Sequence, residues 1–242
     1  MRLILILLFL FLFFIVSIPL FLIEFIIGRF NKRAMVANSQ AIVVFAFRVI
    51  LFIAGVKSTV KGRSNIPKNE AVLYVANHRS YFDVLVAYAS LPTLTGFMAK
   101  KEIAKIPILR TWMRLLQCLF LDRSDIKQGL KTILQGIEQI KAGYSIFISP
   151  EGTRSQGPEM LPFKEGSFKM AEKTGCAIIP VSISNTDEVF ENHMPWIRSA
   201  HVIIEYGTPI YPKDLSKEQQ KFLGSHVQEI IRETLAKNAS LI

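Results

Sequence analysis

The chain opens on an apolar run with almost no polar break, LILILLFLFLFFIVSIPLFLIEFII, residues 3–27. As a helix, residues 3–23 alone would reach roughly 30 Å at about 1.5 Å per residue, enough to cross the hydrocarbon core of a bilayer. A secretory signal has a shorter apolar core, about 7–15 residues, and ends at a small-residue cleavage site. None precedes the basic stretch GRFNKR, so the pattern predicts an uncleaved membrane segment. Pro19 is a kink position within it, and Glu24 must lie near an interface or face protein. A second apolar run, AIVVFAFRVILFIAGV, covers residues 41–56 and carries Arg48 in its middle. An arginine at mid-bilayer costs about 3 kcal/mol even on the gentlest scale. A short interfacial helix with Arg48 snorkelling therefore fits better than a second clean span. Gly28 and GRFNKR form the joint between the two runs. Arg29, Lys32 and Arg33 favour anionic headgroups, and so a cytoplasmic membrane with the rest of the chain facing the cytosol.

Beyond residue 57 the pattern changes. Short apolar runs at 71–76, 94–99, 116–121, 144–149, 177–183 and 201–206 read as strands. Helical patterns fill 83–90, 103–115, 126–142, 164–174 and 216–237. Continuous apolar strands alternating with helices predict an α/β domain, a layered mixed or mostly parallel sheet flanked by helices. Pro180, inside a strand run, predicts an edge or a strand end. The expected organisation is a membrane-associating helical segment over residues 1–56 and a catalytic domain over 57–242.

Composition sharpens this picture. The chain has 242 residues, 50% of them hydrophobic, enough for one well-buried core. Its net charge of +10 points to an anionic partner: nucleic acid, a membrane surface or a phosphorylated substrate. Residues 1–56 account for +4 of that charge, so the remainder keeps about +6 and the basic bias is more than an anchor. Cys118 and Cys176 lie in apolar surroundings with no disulfide or metal spacing, and read as reduced core residues.

In an open α/β sheet, ligands bind beyond the carboxyl ends of strands. NHRSYFD, residues 77–83, follows the first strand run. Read locally, Ser80-x-x-Asp83 is a capping-box-like helix start, and His78 is an ordinary loop residue. Read chemically, the chain reverses between His78 and Asp83, so their five-residue offset can bring the two side chains together. On a continuous helix that offset would place them about 140° apart. Asp83 could then hold one imidazole nitrogen and leave the other as a general base. PEGTRS, residues 150–155, offers a glycine for close backbone approach and an arginine fork for phosphate, or else a plain turn with a Glu151–Arg154 pair. Arg123 in LFLDR has the same two readings, its local one a surface pair with Asp122 or Asp125. Lys100, Lys105 and the lysine of FKEGSF are phosphate candidates or solvated surface. His193, His201 and His226 have no paired acid at a telling interval and read as structural. No G-x-S-x-G elbow, phosphate-binding P-loop, dinucleotide fingerprint, H-E-x-x-H or Cys/His zinc spacing occurs.

Taken in order, these pieces resemble the membrane-associated glycerolipid acyltransferases, and among them the bacterial 1-acyl-sn-glycerol-3-phosphate (lysophosphatidic acid) acyltransferases. NHRSYFD matches the family's His-x4-Asp block, LFLDR the second, PEGTRS the third and IIPVSI the fourth. PFKEGSF fits the stretch after the third block. The second block lacks a frequent opening glycine, and the third begins Ser149-Pro150-Glu151 where Phe-Pro-Glu is common; both departures touch packing more than chemistry. The resemblance implies direct transfer from an acyl thioester, acyl-CoA or acyl-carrier protein, to the free hydroxyl of lysophosphatidic acid. His78 would be the base and Asp83 its orienting partner. Arg123 and Arg154 would hold the acceptor phosphate, Glu151 with Gly152 would position the glycerol and the loop, Thr153 of the same block would join the substrate site, and Lys100 and Lys105 would be second-rank phosphate ligands. It implies no cofactor, no metal and no nucleic acid, with the bilayer as partner. Two rivals stand beside it: a metal-dependent lipid hydrolase with His78, Asp83 and Glu151 as ligands, and a basic membrane-anchored binder of anionic lipid or nucleic acid. An acyltransferase acting on glycerol 3-phosphate or another lysolipid would use the same base.

Overall fold

The computed structural model describes residues 1–157 and 159–242. The apolar opening forms one helix, α1 (Arg2–Phe30), with Pro19 inside it. Asn31 ends α1 and starts α2 (Lys32–Ala54), its side chain accepting the Ala34 N–H at 2.9 Å. The second helix is thus longer than the expected 41–56 segment, because the joint is a single residue and the polar stretch KRAMVANSQ is helical. Both helices are long and apolar enough to cross a membrane. They are partnered very differently. Most of α1 shows its apolar side chains to the exterior, Phe11, Ile18 and Phe25 among them. By contrast, α2 sends Val43, Ile50, Leu51 and Ala54 into the core of the sheet. Glu24 faces protein, fully buried and accepting from the Asn38 amide of α2. Arg48 reaches the last turn of the helix Phe82–Ser90, where the Ala89 carbonyl accepts from it at 3.2 Å.

Strands and helices then alternate: β1 (Lys57–Lys61), β2 (Leu73–Ala76), α3 (Phe82–Ser90), β3 (Thr95–Lys100), α4 (Pro107–Leu115), β4 (Leu119–Leu121), α5 (Ile126–Lys141), β5 (Ser145–Ile148), α6 (Lys169–Thr174), β6 (Ile178–Ser184), β7 (His201–Tyr206), α7 (Lys217–Lys221) and α8 (Leu223–Ala239). The sheet has seven strands in the order β1-β7-β6-β2-β5-β3-β4. Five run parallel; β7 is antiparallel to β6 and carries β1 parallel to itself. The sequence pattern missed β1, KSTVK, because an exposed edge strand guarded by lysines has no apolar run to betray it. The expected helix over 216–237 is broken at Phe222 into α7 and α8.

Pro180 corrects its sequence reading: β6 is interior, between β2 and β7. The Pro180 carbonyl accepts from Gly207 N–H, so its missing donor points the same way, beyond Tyr206 where β7 has ended. It is the neighbour that ends here.

Side chains alternate between two cores, as period-2 strands require. Tyr74 and Ala76 of β2 face α2, α3 and α4, with α1 outside them; Leu73 and Val75 face α5, α6 and α8. Trp112 of α4 fastens α1 to the domain, donating to Ser17 Oγ at 2.8 Å between Phe13 and Phe21. Both cysteines are buried and free; burial pushes the Cys118 thiol up to about 12. Because five strands are parallel, the loops after β2, β4, β5 and β6 all open on one edge of the sheet.

Candidate active site

That edge is built around a pinned loop. Asn77 is fully buried, and its amide extends the ladder: it donates to the Ile183 carbonyl at 2.9 Å and accepts from Ile183 N–H at 2.8 Å. The next residue, His78, is held at both backbone groups. Its N–H donates to Glu151 Oε1 at 2.7 Å, and its carbonyl accepts from Ser155 N–H at 2.9 Å. Loop 151–155 thus fixes where the imidazole stands.

The side chains then meet as the reversed-chain reading requires. His78 Nδ1 donates to Asp83 Oδ2 at 2.8 Å. That oxygen also accepts from Arg79 and Ser80 N–H at 2.7 and 2.8 Å, while Oδ1 accepts from the Thr186 hydroxyl at 2.5 Å. Asp83 is 3% exposed. The acid half of the expected capping box exists, since Asp83 reaches back to Ser80 N–H. The other half does not: Ser80 Oγ accepts from Phe82 N–H and donates to Glu191. One carboxylate therefore starts α3 and orients the ring, leaving the Nε2 lone pair of a ring that is 23% exposed. Such an imidazole can take a proton from a hydroxyl and return it to a leaving group.

Glu151 takes up the loop part of its expected role. Both oxygens are taken by backbone donors, His78 and Leu161, and it is 3% exposed. Burial raises its pKa above the ordinary 4.5, with those two hydrogen bonds pulling the other way. It is a positioning residue, buried with each oxygen bound to the loop backbone it holds. Among the described residues, no group of three His, Cys, Asp or Glu could hold a metal ion.

Gly152 has φ +79°, and a Cβ there would stand 2.8 Å from Lys164 Nζ and 3.6 Å from Arg123 Cζ. The glycine makes room for two cations to converge. Neither local pair expected of the arginines forms. Asp122 takes Lys101 and Ser124, which hold its carboxyl down at about 2. Asp125 caps α5, and Arg154 pairs with Glu191 at 2.9 Å while stacking 3.8 Å over the Tyr81 ring. Among the described residues, neither Arg123 nor Lys164 has a carboxylate in salt-bridge range. Thr153 is exposed beside them. Lys100 ends β3 opposite Leu121 of β4 and is exposed at the same edge; Lys105 lies further out, in the 3₁₀ turn Lys101–Lys105.

The sequence reading missed Asn77, Thr186 and Glu191. Glu191 Oε1 accepts from Tyr81 N–H and Arg154, and Oε2 from Ser80 Oγ; it sits 111 residues from Ser80, with no local signal. His193 does have an acid at a five-residue interval, Glu188 at 2.9 Å, bracing a surface turn.

The acyltransferase family model matches residues 57–184, just over half the chain and all four blocks. This chain belongs to the acyltransferase family. It is 31% identical over 195 residues to the 1-acyl-sn-glycerol-3-phosphate acyltransferase of Borreliella burgdorferi, covering 81% of this chain and 76% of the relative. It is also 31% identical over 166 residues to the enzyme of the same name from Escherichia coli, covering 68% and 67%. The crystal structure of the 1-acyl-sn-glycerophosphate (LPA) acyltransferase PlsC from Thermotoga maritima superposes with a TM-score of 0.77 at 26% identity, over 98% of this chain and 97% of that one. The match takes in the apolar helices as well as the sheet, so the chain is an acyltransferase with that fold, and membrane association comes with it.

Proposed function

We propose that this acyltransferase moves an acyl chain from a thioester, acyl-CoA or acyl-carrier protein, to the free hydroxyl of 1-acyl-sn-glycerol 3-phosphate, yielding phosphatidic acid. The observation that carries the reading is the oriented His78–Asp83 pair beside the unpaired cations Arg123 and Lys164 around Gly152. The acceptor's phosphate sits against Arg123 and Lys164, with the remaining donors of Arg154 at its flank. This sets the hydroxyl against Nε2 of His78. The hydroxyl oxygen attacks the thioester carbonyl as its proton passes to Nε2, and Asp83 stabilises the imidazolium. The tetrahedral intermediate then collapses: the C–S bond breaks, and the leaving thiolate takes the proton back from His78. Atoms and charge balance with no acyl-enzyme and no cofactor.

We read residues 1–56 as the membrane-associating part and 57–242 as the catalytic part, sharing one core through α2. Because the inner side of α2 is committed to the sheet, the pair does not stand clear of the domain as a spanning hairpin. Helix α1 lies along one leaflet with its apolar side down, and Arg29, Lys32 and Arg33 favour the cytosolic leaflet.

The test is a donor-by-acceptor assay on purified protein with mass detection. Phosphatidic acid should form from acyl-CoA or acyl-carrier protein with lysophosphatidic acid, faster than the products from glycerol 3-phosphate or a choline lysolipid. Preference for an acceptor without a phosphate monoester would overturn the assignment.

A further inference from the structure

On the β6 side of His78 the same edge holds a cavity of about 380 Å³, separate from the cations around Gly152. Its walls include Arg79, Ser184, Asp187, Glu188, Leu235 and Ala239. Two buried polar atoms there have no partner, Arg79 Nε and Ser184 Oγ. Ser184 is only 8% exposed. Burying a donor or hydroxyl without a partner is costly, so such a pair marks a place where a ligand can supply hydrogen bonds. The position is specific. Arg79 follows the base directly, and Ser184 ends β6 two residues before Thr186, which holds Asp83. Leu235 and Ala239 belong to α8, on the sheet face opposite α1 and α2.

The chemistry narrows the ligand. Arg79 Nε donates; Ser184 Oγ donates or accepts; Leu235 and Ala239 offer an apolar wall. Asp187 already takes Arg79 Nη2 at 3.1 Å, and Glu188 adds a second acid at the lip. Two carboxylates make a poor phosphate site, in contrast to the cations around Gly152. A neutral chain with amide groups and methylenes fits both sets of groups. Entering here, such a chain would come from the sheet face opposite α1 and α2 and end at a carbonyl beside His78. We propose that this cavity receives the pantetheine arm of the acyl thioester donor, so that donor and acceptor approach His78 from opposite sides. This rests on the acyl-transfer reading above.

Three donors with one acyl chain test it: acyl-CoA, acyl-carrier protein and the N-acetylcysteamine thioester, which keeps the thioester but lacks most of the arm. Ser184→Ala should raise KM for both pantetheine donors about three- to tenfold, the loss of one buried hydrogen bond. Leu235→Trp should raise it further by filling the cavity. KM for the truncated thioester and for lysophosphatidic acid should move by less than about twofold on the same scale. Equal rises for all three donors, a rise confined to acyl-CoA, or unchanged KM in both folded variants would overturn the assignment. Absence of transfer from every donor by the unsubstituted protein would instead remove the acyl-transfer reading on which it stands. Thermal melting of both variants shows whether each is folded, and Ser184→Ala keeps the test decisive if Leu235→Trp is not.

Discussion

The acids and the cations of this edge live in opposite conditions. Asp83 and Glu151 are 3% exposed, and every carboxylate oxygen in the trio Asp83, Glu151 and Glu191 accepts at least one hydrogen bond from the protein. Arg123 and Lys164 stand free of any carboxylate among the described residues, and they converge where Gly152 leaves space. Buried carboxylates keep their charge only when donors surround them, so the acids here are spent on building the site. Unpaired cations at an open edge have their donors left for a ligand. Charge alone does not separate these roles; the partner inventory does. His78 stands between these roles, one nitrogen given to Asp83 and the other left for a ligand.

The sharpest break of this contrast comes from the base itself. His78→Ala should lower kcat by about 10²–10⁴-fold with the fold intact. Near-normal turnover in a folded variant would sink the mechanism. Asp83→Asn should fall in the same range, because a neutral amide cannot stabilise the imidazolium that forms as His78 takes the proton. Its distinguishing sign is a drop in kcat with little change in acceptor KM, read from initial rates in mixed micelles.

The cations should fail in the other parameter. Arg123→Ala or Lys164→Ala should raise acceptor KM about ten- to hundredfold, as expected for a charge-assisted hydrogen bond, with kcat changed far less. Arg154→Ala should raise it by a smaller factor, since Glu191 already shares that charge. If Arg154→Ala proved the larger of the three effects, the division between committed and free groups would be wrong for Arg154. Glu191→Gln should come next: it keeps the shape and the bonds but weakens the grip on Ser80, Tyr81 and Arg154, costing a few-fold in kcat/KM, a fraction of the about 1.5–3 kcal/mol that a hydrogen bond to a charged group carries.

How much of this was legible in sequence follows the same division. The strand–helix alternation, the His78–Asp83 pair and the glycine at 152 are local in the chain, and local patterns found them. The strand β1 was not, because its lysine-guarded edge carries no apolar period. The interior position of Pro180 depends on where a non-adjacent strand stops. Glu191 and Thr186 are contacts made across more than 100 residues, and the committed role of Glu151 depends on Leu161 and His78 lending it their N–H groups. Residue type announced an acid at each place; only topology says which oxygen remains free.

Glu151 supplies the subtlest test, because its two effects have opposite signs. Its folded-state pKa is raised above the ordinary 4.5 by burial. The folded chain therefore holds that proton more tightly than the unfolded chain does. Its contribution to stability is full below about 4.5 and declines as pH rises through the folded value. Glu151→Gln removes this decline, since an amide does not titrate. It also places an NH₂ against the N–H of either His78 or Leu161, leaving one buried donor unmet at about 1–3 kcal/mol. The variant should thus melt lower than the unsubstituted protein at acidic pH, and the gap should narrow as pH rises above 4.5. Melting curves in detergent across that window read both effects at once. A gap that stays constant with pH would mean that burial does not set the ionisation of Glu151; a gap that widens would mean that the charge itself strengthens the clamp on His78, and that Glu151 holds the base better ionised than neutral.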